Sequence, residues 1–545
     1  MTAAGRFPMF LMEGMFMDQG VDPRAVDFEY LILGGGPAGL QLGHHLATAG
    51  RSYLILEGGE GPGHSFRKFP RHRTLISSNK VYTGYDDPEV NLRWDWNSLL
   101  ADDGRLVFGD YTRKYFPPAD KLVQYLADYA SCYNLNIRCN TRIVRVERLG
   151  DGAEGFRVAD DQASTLTCRR LIVATGVARP YVPEIPGAEL AEQYVDVSVD
   201  PEDFINQRVL IVGKGNSAFE TAENLIETTA LVHVCSPSPL KLAWATHFVG
   251  HLRAVNNNFL DTYQLKSQNA ILDATIEKIE RNDQGKLVVS LRYTHACGEV
   301  EQITYDRVIF CTGFRFDTSI FAEECRPELA INDRFPAQTC EWESTNVPGM
   351  YFAGTLTQMR DFKKTTSGFI HGFRYNTRAL FRMLEKKYHG QSLPSREVEA
   401  TAEGLMLAAM ERINRSSALW QQYGFLHDVI VVPSDGGSAR YYEELPLAYV
   451  HETMLSASDH YYTLALEFGH IQGDPFAIER KPVVDAADES VFLHPVIRRW
   501  NGPLLVAEYH LLENLFGEWK DLELHIAPLR EFFGKHLEER VRVRK

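Results

Sequence analysis

The chain has 545 residues, 72 acidic and 57 basic, for a formal net charge of −15, with 44% hydrophobic and 24% charged residues. That length is too great for one hydrophobic core and predicts two or three globular domains. The acidic balance argues against a nucleic-acid or anionic-membrane partner, since both reward clustered Lys and Arg, and no run of 18 apolar residues predicts a membrane span.

Residues 1–26 read as a non-targeting extension: the apolar stretch 7–12 is broken by Glu13 and no small-residue cleavage site follows. Then "FEYLIL" predicts a buried strand and "GGGPAG" a turn into a helix. In that turn Gly34 suits a tight bend. Gly36 lets backbone approach a pyrophosphate, and Gly39 lets the helix pack closely on the strand, with Pro37 and Ala38 between them. The helix carries Leu42, Leu46 and Ala49 on one face and stops at Gly50. A second strand, "SYLILEGG", ends in Glu57, 23 residues after Gly34, where a carboxylate can bond ribose hydroxyls. The helix N-terminus supplies N–H donors for phosphate. Strand, glycine turn, helix, strand and placed acid together make a specific signal.

The design recurs at "RVLIVGKGNSA", where Gly213, Gly215 and Ala218 take the three glycine positions, followed by the strand "ALVHVCS". Here Ser236, 23 residues after Gly213, stands where the first unit has its acid. A carboxylate would repel a ribose 2′-phosphate and a serine would not. FAD is therefore expected in the first unit and a nicotinamide cofactor in the second, NADPH rather than NADH. Ser236, Ser238 and Lys241 are candidates for the 2′-phosphate; for Lys241 an ordinary surface lysine is the equal alternative. Ala174-Thr175-Gly176 and Cys311-Thr312-Gly313 frame the second unit as crossings out of and back into the first. The fold class is thus α/β, with two Rossmann-like dinucleotide-binding domains, the NADPH domain inserted in the FAD domain. The expected divisions are 27–180 and 305–390 for FAD and 181–304 for NADPH.

"YFAG" ends in Gly354, followed by Thr355 where many flavoproteins have Asp; a long helix is expected to begin at Ser367-Gly368, beside Phe369. Its N–H groups can face a flavin carbonyl. His371 and Arg374 fall in its first turns, and packing roles are expected, for His371 above all. His247 and His251 would share a face of a helix, but no acidic partner completes a metal site, so no metal is expected. Residues 391–545 follow a turn-rich linker and read as mainly helical, with "LLVAEYHLLENLF" and "PLREFFGKHLEERV" as closing helices, forming a lid or subunit contact. Arg440 could reach an anionic substrate; a solvated strip is the other reading. The eight cysteines include no C-x-x-C pair, which fits a reducing, cytoplasmic setting.

The two-cradle arrangement resembles the flavin-containing monooxygenases. "PGHSFRKFPRHRTLISSNKVYTG" is similar to their flavin-wrapping segment, which implies that Ser65 and Phe66 touch the flavin. It places the active-site Asn at Asn79, with Ser78 competing, and Lys80 near substrate. "GNSA" resembles their second glycine motif, with Asn216 and Ser217 at the cofactor and Gly313 at the return crossing. More of the chain, including "WATHFVGHLRAVNNNFLDTYQLKS", "GFIHGFRYNTRA" and "FLHPVIRRW", is similar to the FAD-dependent oxidoreductase domain-containing proteins of the endoplasmic reticulum. Their location and partners are not carried over. One departure stands out: Tyr194 takes the place of the monooxygenase fingerprint histidine. The resemblance implies that NADPH reduces FAD, that O2 is captured as a C4a-(hydro)peroxyflavin, and that a small molecule is oxygenated. N-hydroxylation of an amine or amino acid leads; Baeyer–Villiger or S-oxygenation, an NADPH oxidase or reductase, and a non-catalytic FAD-holding protein are the alternatives. A homo-oligomer stays open.

Overall fold

A computed structural model describes residues 26–543 except 102, 151–153, 267, 434–436, 455–459, 472 and 481–482. The expected N-terminal extension therefore lies, up to residue 25, outside the described residues.

Three sheets organise the chain. The first has the strand order 137–138, β2 (Tyr53–Leu56), β1 (Phe28–Leu33), 165–173, 156–160, 143–148, with Met350–Phe352 beside 165–173. Its centre is parallel: Leu31 sits between Leu54 and Leu171. Tyr30, Leu31 and Ile32 are wholly buried, as a strand covered on both faces must be. Helix α1 (Pro37–Thr48) connects β1 to β2 and buries Leu40, Leu42 and Leu46.

The second sheet repeats the unit: β3 (Arg208–Val212), α2 (Asn216–Leu225) and β4 (Leu231–Ser236), with β4 parallel to β3. Strand Ala270–Arg281 continues the sheet beyond β4, and Arg307–Phe310 lies on the other side of β3. The chain leaves the first sheet after Val173 and returns to it at Met350, so the second sheet is an excursion from the first.

Helix α3 (Ile370–His389) then packs against α1. It starts two residues later than the sequence suggests, because Phe369 is extended at its N-cap. Residues 391–543 contain helices at Ala402–Arg415 and Ala527–Val543, the latter where a closing helix is expected, and also a six-stranded antiparallel sheet that sequence reading does not anticipate. The stretch read as a closing helix is partly a strand, Leu504–His510, paired with His494–Asn501. The two helices bury Leu405, Ala409, Leu529 and Phe533 against Tyr462 and Leu464 of the sheet.

Buried charge ties this region to α3. Arg378 donates to Glu444 at 2.6 Å, Arg382 reaches the same carboxylate at 3.4 Å, and Arg412 pairs with Asp428 at 2.7 Å. Glu444 is 2% exposed, and Arg378 and its neighbouring cations hold its carboxyl down to about 2 against the penalty of burial. Among the described residues no helix is long and apolar enough to cross a membrane, and no group of three or more His, Cys, Asp or Glu could hold a metal ion.

Candidate active site

β1 delivers the chain to Gly34, whose φ of +109° belongs to glycine alone, and a Cβ there would lie 2.7 Å from the carbonyl oxygen of Ala174. At Gly39 a Cβ would fall 2.0 Å from the Gly34 oxygen, so helix and turn can close only on hydrogen. Gly36 is different: its backbone is extended, and a Cβ would meet nothing within 4 Å. The space left there belongs to the cavity, not to the protein's own packing. No side chain caps α1, which leaves its first N–H groups for a ligand. The Glu57 carboxylate accepts from Gly35 N–H at 2.8 Å and Gly59 N–H at 2.7 Å, which fixes it at the lip of the turn. An uncapped helix, an open Gly36 and a fixed acid fit a pyrophosphate with its ribose.

The second turn has the same logic. Gly213 has φ +126° and sits against the Cys311 oxygen, Gly215 opens to free space, and α2 also lacks a side-chain cap. Its lip differs from the first. Lys214 donates to Ser236 O at 3.2 Å and Ser238 O at 3.1 Å, and pairs with Asp273 on the next strand. Asp273 also faces His295 at 3.0 Å. Position 236 is thus free of charge, as the sequence suggests, but a carboxylate from strand 270–281 stands alongside it, already engaged by Lys214.

One cavity of about 610 Å³ joins the two turns. From the first come Gly36, Pro37 and Ala38; from the second, Asn216 and Ser217. Ser65, Phe66, Thr175, Gly176, Gly354, Thr355, Gly368 and Phe369 also line it. Gly354 lets the chain pass close to α1, since a Cβ there would lie 2.8 Å from Ala38 Cβ. Gly39 and Ala218 are packing positions just behind the two turns, and Gly313 borders a small crevice beside Tyr194.

Tyr194 lines the cavity, stacked on Phe69 at 6.1 Å, with its hydroxyl accepting from Arg71 N–H at 3.4 Å. Burial, reinforced by the nearby Glu220, pushes this phenol up to about 12. Asn216 lines the wall too, but its amide is committed. It donates to His251 O at 2.8 Å and accepts from Arg253 N–H at 2.9 Å and Asn256 at 3.1 Å. Its work is to pin loop 251–256 over the cavity.

Several expected site residues stand elsewhere. Asn79 is buried away from the cavity, its amide donating to Thr112 O at 2.8 Å and Lys114 O at 3.2 Å; it latches the wrapping segment, and Ser77 faces the cavity instead. Ser78 is likewise buried, with its carbonyl accepting from Trp96 N–H. Lys80 and Arg440 are exposed and line no described cavity, as does Lys241. Residues 247–253 are not helical: His247 has φ +57°, and His251 bonds Thr246 at 2.6 Å, so the two histidines share no helical face.

His371 is packed as expected of a buried ring, but it packs in the wall of the cavity. Its ring stacks on Trp96 at 4.2 Å in the cavity wall, its Nε2 has no partner, and burial, aided by Arg374 and Arg253, keeps it neutral. Arg374 does pack: it donates to Ser98 O at 2.9 Å and Leu92 O at 2.8 Å. Among the lining residues that sequence reading does not single out are Glu220, Trp96 and Arg253. Glu220 is four residues after Asn216, so the helical period could have placed it. Burial first, then Glu223, pushes its carboxyl up to about 7. Arg253 lies within the segment 244–267 that carries the family resemblance, but nothing in the sequence marks it or Trp96 individually as lining a site.

A second chamber of about 630 Å³ adjoins the first across Trp96, His371, Val249 and Arg253. It is walled by the C-terminal region through Trp420, Tyr423, Phe468 and Trp519.

A family model described as pyridine nucleotide-disulphide oxidoreductase matches residues 31–354. FAD-dependent oxidoreductase domain-containing protein 2 of Mus musculus is 37% identical over 94% of this chain and 84% of the mouse protein. Among solved structures, the bacillithiol disulfide reductase of Staphylococcus aureus superposes with TM-score 0.51 at 20% identity, covering 67% of this chain and 100% of its own. A flavin-containing monooxygenase from Stenotrophomonas maltophilia gives 0.50 at 20%, covering 66% and 98%. Those two likenesses carry the fold alone. The chain belongs to the pyridine nucleotide-disulphide oxidoreductase family, together with the FAD-dependent oxidoreductase domain-containing proteins, and its cofactors are FAD and a pyridine nucleotide.

Proposed function

We propose that this protein is an NADPH-dependent monooxygenase of a small organic molecule: substrate, O2, NADPH and a proton give oxygenated substrate, water and NADP+. The observation that carries the reading is the single cavity reached by both glycine turns and adjoined by an aromatic chamber. Residues 27–180 and 305–390 form the FAD unit, 181–304 the NADPH unit, and 391–545 the cover. Bound FAD would supply the redox chemistry, taking two electrons from NADPH and passing them to O2. Gly36 and the first turn of α1 would hold its pyrophosphate and Glu57 its ribose; Gly215, Ser217 and the first turn of α2 would hold the nicotinamide coenzyme.

The chain's own residues then have two tasks. The first is exclusion of water, served by the aromatic walls and by α3. The second is proton supply: Glu220, with a carboxyl near 7, can hold a proton at the cavity wall at neutral pH. Disulfide reduction is the poorer reading, because all eight cysteines are unpaired and none lines either chamber. N-hydroxylation of an amine or amino acid leads among oxygenations. An apolar chamber bordered by Arg253 disfavours ammonium and so presents an amine as its free base, the form with a nucleophilic lone pair.

The test is oxygen labelling. Holoenzyme given 18O2, NADPH and amine, amino acid, sulfide or ketone substrates should yield a product carrying one labelled oxygen. NADPH consumption matched throughout by hydrogen peroxide, with no label in any product, would overturn the reading.

A further inference from the structure

The aromatic chamber carries a charge that no carboxylate balances among the described residues. Arg253 lies half-buried where the two chambers meet, and lines both. Its guanidinium donates to Ile76 O at 2.7 Å and rests over the Trp96 ring at 5.1 Å. Among the described residues no carboxylate pairs with it. Burial lowers its pKa, so the site works against the charge it holds. Elsewhere in the chamber, Arg480 is matched by Glu513 at 2.7 Å, and His371 is neutral. The lining therefore has one uncompensated cation, placed at the end nearest the flavin cavity.

The rest of the wall is built for a flat apolar body. Trp420, Trp519, Tyr423 and Phe468 enclose it, and Trp244 stands at its mouth, 39% exposed, packed against Phe476 at 4.7 Å. So many rings could suggest a cage for a cation. Two of the indoles already serve cations of the protein: Arg93 lies over Trp420 at 4.8 Å, and Arg253 over Trp96. The field at the inner end is positive, so an ammonium placed there would meet repulsion instead of a cage.

We propose that this chamber is the substrate site and that it takes a carboxylic acid with a planar ring, the ring between the indoles and the carboxylate on Arg253. The proposal narrows the oxygenase reading to acid-bearing substrates and rests on that reading for the chemistry after binding. Binding itself is independent of turnover. A carboxylate on a guanidinium is a charge-assisted, potentially bidentate contact, which the corresponding neutral amide cannot match.

The test is isothermal titration calorimetry on FAD-loaded enzyme without NADPH, using 2-naphthylacetate, 2-naphthylacetamide and 2-(2-naphthyl)ethylammonium. The acid should bind about tenfold or more tighter than the amide, and the ammonium weakest. In Arg253→Gln the acid-to-amide ratio should fall to about one while NADP+ affinity is kept. In Trp244→Ala both should weaken together with their ratio kept. An acid no tighter than its amide in the wild type would overturn the proposal, whether or not Arg253→Gln folds. So would a preference for the ammonium, a ratio indifferent to Arg253→Gln, or loss of NADP+ binding in that variant, which would assign the guanidinium to the coenzyme. If the acid binds as expected but peroxide is the sole product of turnover, the oxygenase reading fails and the binding site stands.

Discussion

Two substitutions of glycine by alanine in one turn should have opposite consequences. At Gly39 the new methyl would stand 2.0 Å from the Gly34 oxygen, about 1 Å inside the closest tolerable contact; the methyl is fixed on its Cα and the oxygen belongs to backbone, so neither can rotate away. Opening the turn to relieve this is an overpacking defect of roughly 1–3 kcal/mol or more. At Gly36 the methyl would meet no protein atom within 4 Å, and the extended backbone accepts any residue, so FAD-free protein should lose about 1 kcal/mol or less. The same methyl would occupy the space into which a pyrophosphate must come. A similar overpacking penalty then falls on the complex alone, and FAD affinity should drop roughly tenfold to a hundredfold. Thermal melts of the FAD-free proteins and fluorescence titration with FAD separate the two effects. Gly36→Ala should melt with wild type and bind FAD poorly; Gly39→Ala should melt several degrees lower. If Gly36→Ala keeps wild-type FAD affinity, the open space beside it is not the phosphate site.

Other outcomes come from the charges. Glu444→Ala strips the partner from Arg378 and Arg382 at the seam between α3 and the third sheet, and should destabilise by about 3–5 kcal/mol in denaturant melts, with Glu444→Gln milder. Asp361, 2% exposed, has its carboxyl raised by burial to about 7. The folded state therefore binds more protons than the unfolded one between about pH 4 and 7, and stability falls as pH rises through that window. Asp361→Asn should remove that fall and leave the protein more stable than wild type by a few kcal/mol at pH 8, measured by urea unfolding at pH 5 and 8. Asp273→Asn frees Lys214 at the second turn and takes away the carboxylate beside Ser236. The ratio of kcat/KM for NADPH over NADH should rise about tenfold, and an unchanged ratio would remove Asp273 from the coenzyme lip.

The two glycine turns were legible because their demands are local. A tight bend, a close helix and an acid at the end of the next strand all fall within one stretch of chain. The aromatic chamber was not legible, because Trp96, Arg253, Trp420 and Trp519 come from three separate parts of the chain and meet only when these dock. At Asn79 the gap is smaller: the segment is legible, but the side chain that faces the cavity is Ser77, two residues earlier, while Asn79 turns back to latch Thr112 and Lys114. The third sheet is not legible for a related reason. The strand Leu504–His510 leaves Leu504 66% exposed at a sheet edge, so its apolar residues carry no clean alternation and read as helix.

The central claim, that two like turns deliver two different coenzymes to one cavity, is tested most directly by mixing the purified protein with NADPH without oxygen and watching flavin absorbance. A yellow protein that bleaches with NADPH, and does so far more slowly when Gly215 is replaced by alanine, is the result expected. A colourless protein, or a flavin that NADPH leaves oxidised, would contradict it.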